Sequence, residues 1–182
     1  MDNDWVSSVR TIEEARDFVL NFGICGILGS SKAMPTLSEA VDAPDKAPGE
    51  SGWGEKMGYI WTWKNELPAK YPDDIFYGKI KSGAILCSMT KLRELYAASH
   101  KLTSELSSEA RKLLAIISQN PANNKELKDL SGLAGKTNKA VYDKAVLELQ
   151  LTFQIVRMNS METDGDTWTL FEKQYPDFTL KG

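Results

Sequence analysis

The sequence predicts an α+β chain in two parts: an amino-terminal mixed α/β region over residues 1–100, and a carboxy-terminal domain over residues 101–182 made of three helices and a β-hairpin. Three observations carry this. Apolar residues recur at helical spacing in separate blocks, several of them opened by capping residues. Two apolar runs flank Lys81-Ser-Gly83, the pattern of a tight hairpin. A second pair of β-forming runs, Leu151–Met158 and Thr167–Phe171, closes the chain around turn residues.

In chain order, Thr11 and Glu14 have capping-box spacing. Ala15, Phe18, Val19 and Phe22 then form a helical stripe that Gly23 ends. Residues 29–54 hold Gly29, Pro35, Pro44, Pro48, Gly49, Gly52 and Gly54 and read as a long loop. An aromatic cluster follows, with Trp53, Tyr59, Trp61, Trp63, Tyr71, Phe76 and Tyr77. Ile75–Ile80 and Ala84–Ser88 are the strands of the first hairpin. Leu92, Leu95 and Tyr96 suggest a helix ending near His100, and the polar segment 100–106 crosses to the second half.

There the pattern is regular. Ala110, Leu113, Leu114 and Ile117 share one helix face, with Pro121 beyond its end. Asn123 and Glu126 form a second capping-box pair before a short helix carrying Leu127 and Leu130. Gly132 and Gly135 bracket a turn. Thr137 is a suitable N-cap for a third helix to about Gln150, with Val141, Ala145 and Leu149 facing the core. Strand, turn (Thr163-Asp-Gly-Asp166) and strand follow. Three helices and then a hairpin, in that order, make a winged helix-turn-helix.

Composition excludes more than it selects. Of the 182 residues, 42% are apolar and 26% charged, and the net charge of -3 does not by itself favour nucleic acid. Residues 101–182 carry equal numbers of basic and acidic side chains. Cys25 and Cys87 sit among apolar neighbours and read as buried thiols of a reducing compartment. With one histidine, His100, and no CxxC or HxxxH spacing, no metal site is expected, and no cofactor motif is present. No apolar run suits a membrane helix, and the acidic start is unlike a signal peptide, so a cytoplasmic protein is expected. No residue pattern fixes an oligomeric state.

The third helix of a helix-turn-helix enters the major groove of duplex DNA. The candidate contacts are Lys136, Thr137, Asn138, Lys139 and Lys144, lysine for phosphate and Asn138 for an adenine edge. Against this stand Asp143 beside Lys139, and Glu162, Asp164 and Asp166 on the wing. Trp53, Trp61, Trp63, Tyr77 and Lys79 are either a base-stacking site or pocket, or the core of a small domain. Glu55, Lys64 and Glu66 line a pocket or form a solvated rim. Gly135-Lys-Thr137 is not a P-loop, since position 130 is Leu130 where that motif needs glycine. His100 reads as a solvated helix-end residue, Asp73-Asp74 as a turn, and no catalytic triad is visible.

Trp61-Thr-Trp63-Lys64-Asn-Glu66-Leu67-Pro68, Phe76-Tyr77-Gly78-Lys79, Gly83-Ala-Ile-Leu-Cys-Ser88, Glu148-Leu149-Gln150-Leu151 and Ile155-Val156-Arg157 together resemble proteins related to the AlkZ/YcaQ DNA glycosylases, over about residues 11–175. The resemblance implies winged helices, duplex DNA as partner and, in full-length members, excision of alkylated or crosslinked bases by a glutamine in a Gln-x-Asp or Gln-x-Gln motif. Here Gln119, Gln150, Gln154 and Gln174 begin no such triplet, and the chain is about half the length of an active member. The expected function is therefore DNA binding of the glycosylase-related kind, without base excision and with no catalytic residue assigned. The alternatives are an active glycosylase with a displaced catalytic group, and a winged-helix protein-interaction or regulatory module.

Overall fold

The computed structural model describes residues 8–29, 34–159 and 166–178. It is a mixed α+β chain with two small antiparallel sheets, each of three strands. The described residues fall into two compact units, 8–92 with Asn159, and 93–158 with 166–178.

The first unit opens on α1 (Ile12–Phe22). The Glu14 amide donates to the Thr11 hydroxyl oxygen at 3.1 Å and the Thr11 amide to the Glu14 carboxylate at 3.1 Å, the capping box its spacing predicts. Gly23, at φ 72°, ends the helix in the left-handed conformation glycine adopts without penalty. Ala15, Phe18 and Val19 are buried. Phe22 departs from that stripe: it lies in the last turn, 42% exposed, its ring 5.0 Å from Phe18. β1 (Ile24–Gly26) follows, too short to carry an alternation pattern. The expected loop over 29–54 contains α2 (Leu37–Ala40), capped by the Thr36 hydroxyl.

Three of the seven clustered aromatics, Tyr59, Trp61 and Trp63, lie on one helix, α3 (Glu55–Lys70), an element that residue spacing did not predict. Tyr59, Trp61 and Trp63, some exposed and one buried, hide the helical period, and Pro68 near its end argues locally against a helix. β2 (Ile75–Ile80) and β3 (Gly83–Ser88) pair as the predicted hairpin, Ile80 opposite Gly83. The turn is the pair Lys81-Ser82, with Lys81 at φ 54°, so β3 begins one residue earlier than expected. β1 adds to the other edge of β3, giving the order β1-β3-β2. A Cβ on Gly78 would collide with the Phe76 ring, so glycine within Tyr77-Gly78-Lys79 leaves that ring its place along the strand. Val19, Leu37, Ile60, Leu67, Ile75 and Leu86 build the core beneath. Cys25 and Cys87 are buried free thiols, and burial pushes each up to about 12.

α4 (Met89–Ser99) contains the division between the units, which falls after Leu92. In the second unit, α5 (Ser108–Gln119) is capped by the Ser107 hydroxyl and buries Ala110, Leu113 and Ile117, as its spacing predicts. β4 (Ala122–Asn123) leads into α6 (Asn124–Ser131). The Asn123 side chain accepts from the Lys125 and Glu126 amides, and the Glu126 carboxylate accepts from the Asn123 amide at 2.8 Å. Leu127 is buried, but Leu130 is 67% exposed and not part of the core. It sits at the helix's outer side near the Gly132 stop, where the following turn leaves it uncovered.

A 3-10 turn, Lys136–Asn138, precedes α7 (Lys139–Leu151). The core face of α7 is Tyr142, Ala145, Val146 and Leu149. Val141, expected there, is 43% exposed, because Tyr142 takes the inward position beside it. α7 reaches Leu151, the first residue of the run expected as a strand. Phe153 follows at φ 52°, with its amide donating to the Gln150 carbonyl and the Gln154 amide to the Leu149 carbonyl. These two bonds are a Schellman termination, here with phenylalanine where glycine is usual. β5 (Ile155–Arg157) and β6 (Thr167–Leu170) are correspondingly short, and with β4 form the order β4-β6-β5. Phe171 starts α8 (Phe171–Gln174) rather than ending a strand. Of the expected wing turn, residues 163–165 lie outside the described residues, as do Glu162 and Asp164.

Among the described residues, no helix is long and apolar enough to cross a membrane, and no His, Cys, Asp and Glu cluster suits a metal ion.

Candidate nucleic-acid interface

The start of α7 is shaped by its approach. Gly135, at φ 98°, turns the chain into the 3-10 segment. Thr137, expected as the N-cap, lies within that segment with an exposed side chain, and Asn138 holds the cap position instead. The Asn138 side-chain amide donates to the Ala134 carbonyl at 3.1 Å. That bond pins the turn and commits one of the amide hydrogens an adenine edge would need. Lys136, Thr137, Lys139 and Lys144 are all exposed. Lys139 forms an ion pair with Asp143 one turn later, so its charge is locally balanced. Lys136 and Lys144 form no salt bridge with a carboxylate among the described residues.

Three polar contacts hold α7 from behind. The Asn124 side-chain oxygen accepts from the Tyr142 hydroxyl at 2.8 Å and from the Trp168 indole at 2.9 Å, joining α6, α7 and β6. Burial pushes the Tyr142 hydroxyl up to about 12. The Lys128 ammonium lies 4.8 Å from the Tyr142 ring centroid. Further along, the Glu148 carboxylate accepts from the Ser107 amide at 2.9 Å and from its hydroxyl at 2.5 Å, tying α7 to the start of α5. In the second hairpin, Arg157 lies 3.6 Å from Asp166, which offsets the one carboxylate of the expected wing that is described.

In the first unit, Trp53 and Trp61 come together with ring centroids 5.0 Å apart, 60% and 39% exposed. Trp63 is separate from this pair: it is buried in the core and packs on Tyr59 at 5.1 Å. Lys64, expected to line a pocket or to form a solvated rim, is only 8% exposed. Its ammonium lies 3.9 Å from the Trp61 ring centroid and 5.8 Å from that of Tyr77. Ring faces attract a cation, which compensates part of its lost hydration. The signal that could have found it is spacing, Lys64 being one helical turn from Trp61. Tyr77 and Lys79 are half-buried on β2, Glu66 is half-buried on α3, and Glu55 is exposed.

His100 stacks on Tyr96 at 4.5 Å, at the exposed end of α4. Tyr96 also meets Phe153 at 5.7 Å and Phe171 at 5.3 Å, an aromatic cluster with no local sequence signal. The groove between α5 and α6 is apolar, has a volume of about 650 Å³ and is lined by Ala115, Ile116, Pro121 and Leu130.

A protein-family model described as AlkZ related matches residues 9–170. No curated protein and no solved structure matches the chain.

Proposed function

The chain belongs to the AlkZ-related family, and from that premise we propose that it is a DNA-binding protein related to the winged-helix DNA glycosylases, without base-excision activity. The reading takes residues 101–182 as a winged helix domain and 1–100 as a separate mixed domain. Support comes from the element order α5, β4, α6, α7, β5, β6 and from a sheet in the order β4-β6-β5, with two helices between its first and second strands. In this reading α7 enters the major groove and the β5–β6 hairpin lies along the flanking backbone.

The observation that carries the proposal is the exposed start of α7. Lys136, Thr137 and Lys144 face solvent, and neither lysine is held in a salt bridge among the described residues. Duplex phosphate attracts such side chains in a salt-sensitive way, whatever the sequence. The Trp53–Trp61 pair, backed by Lys64, is the proposed place for an unstacked base. Cytoplasmic residence belongs to the same reading, with both thiols buried and free. Fluorescence anisotropy with labelled duplex, at low salt and along a salt series, tests it. Binding that weakens steeply with salt is the expected result, and no binding at low salt overturns the proposal.

One observation favours a second reading. The groove beside the exposed Leu130 is the kind of apolar surface that protein partners cover. Stable self-association, with no duplex binding, would support an interaction module instead.

A further inference from the structure

We propose that Ala140 and Val141 form an apolar reader for the 5-methyl group of thymine, so that the duplex sites this protein prefers carry thymine under the first turn of α7. The inference rests on the DNA-binding reading above and adds the base it selects.

Ala140, Val141 and Lys144 share one side of α7, and Thr137 precedes them in the 3-10 turn. All four are exposed. A lone exposed valine needs no explanation. Here, however, the valine lies beside a second small apolar residue, between lysines, on the part of a helix that the reading places in a groove. The neighbouring charge is removed from this side: Lys139 is paired with Asp143. What the middle of this side presents is therefore methyl groups.

Lys136 precedes the apolar pair in the 3-10 turn and Lys144 follows it one turn into α7. Lysines on either side of the pair reach phosphate while the apolar centre meets the base edges. Of the four bases, only thymine shows an apolar group there. Asn138, the natural reader of adenine in this stretch, has part of its amide committed to Ala134.

The test uses the full chain and needs no variant at first. Preferred sites are selected from a random duplex library, and each thymine is then replaced singly by deoxyuridine, which removes only the methyl group. At one or two positions binding should weaken about fourfold, the fold-change for one buried methyl group. Val141→Ser should bind the thymine and deoxyuridine duplexes equally, with its folding checked by circular dichroism. Lys136→Ala should weaken both alike and preserve the ratio. Tight duplex binding with no methyl dependence at any position overturns the reader and leaves the DNA-binding reading standing. Methyl dependence that survives in Val141→Ser overturns it too. Absence of all duplex binding at low salt overturns both.

Discussion

Asn124 holds Trp168 by a single hydrogen bond, the buried indole N–H donating to the side-chain oxygen at 2.9 Å. The same oxygen accepts from Tyr142, itself 3% exposed. One amide thus satisfies two buried donors from two other elements. Asn124→Ala should cost about 1–3 kcal/mol for each donor left unpaired. Tyr142→Phe removes donor and need together and should cost about 1 kcal/mol or less. Urea unfolding of the single and double variants checks this. Additive losses would show that the two bonds do not share an acceptor in solution.

Leu149 and Leu130 separate core from surface. Leu149 is fully buried, and Leu149→Ala should cost about 2–5 kcal/mol. Leu130→Ala should stay within about 0.5 kcal/mol, as for other surface changes. Equal shifts in melting temperature would contradict the assignment of Leu130 to the surface.

The lysines of the candidate interface are not equivalent. Lys136→Ala and Lys144→Ala should each reduce the log–log salt slope of duplex binding by about 0.9, the increment for one neutralised phosphate. Lys139→Ala should do less, because Asp143 already holds that ammonium. Asp143→Ala should raise affinity. A larger effect from Lys139→Ala than from Lys136→Ala would reverse this ranking.

The two thiols give a pH prediction. Cys25 and Cys87 ordinarily titrate near 9.0, and burial raises each to about 12 in the folded chain. The protonated form is thus favoured by folding, so the contribution is fully present below pH 9 and is lost as pH rises toward 12. Unfolding midpoints in urea should fall across that window, and less steeply in Cys25→Ala. At pH 8 a thiol reagent should react only as fast as the chain opens. Immediate labelling of either cysteine would show that it is not buried.

Base release is the enzymatic test. No Gln-x-Asp or Gln-x-Gln motif is present, and the carboxylates beside the tryptophans, Glu55 and Glu66, are exposed and half-buried. Purified protein should release no N7-methylated or crosslinked base from duplex above the spontaneous rate. Release abolished by Glu55→Gln or Glu66→Gln would establish the displaced-group enzyme instead.

Local chemistry was readable in the sequence; tertiary choices were not. The capping boxes at Thr11 and Asn123 need only neighbours three residues away, and both form as expected. The hairpin around Lys81 is equally local. α3 was hidden because its aromatics face in several directions, some to the core and some to solvent. In α7, Val141 and Tyr142 are adjacent apolar residues, and only packing decides which turns inward. At the candidate interface, the exposure of Lys136 and Lys144 follows from the long charged side chain, which keeps its ammonium in water. Lys64 is one helical turn from Trp61, but Tyr77 joins that pair from β2, which no sequence window shows.

Phe153 gives the second unit a mechanical linkage. Glycine at the end of a helix lets the chain leave in whatever direction the backbone prefers. Phenylalanine at φ 52° carries a steric cost, and its ring is held between Tyr96 and Phe171. The exit from α7 into β5 is therefore steered by a side chain clamped from α4 and α8. Tyr96 itself packs on His100 and Phe178 as well, so the clamp is part of a larger cluster of rings. The direction in which the hairpin leaves α7 is therefore fixed in part by Tyr96, a residue distant in sequence from both.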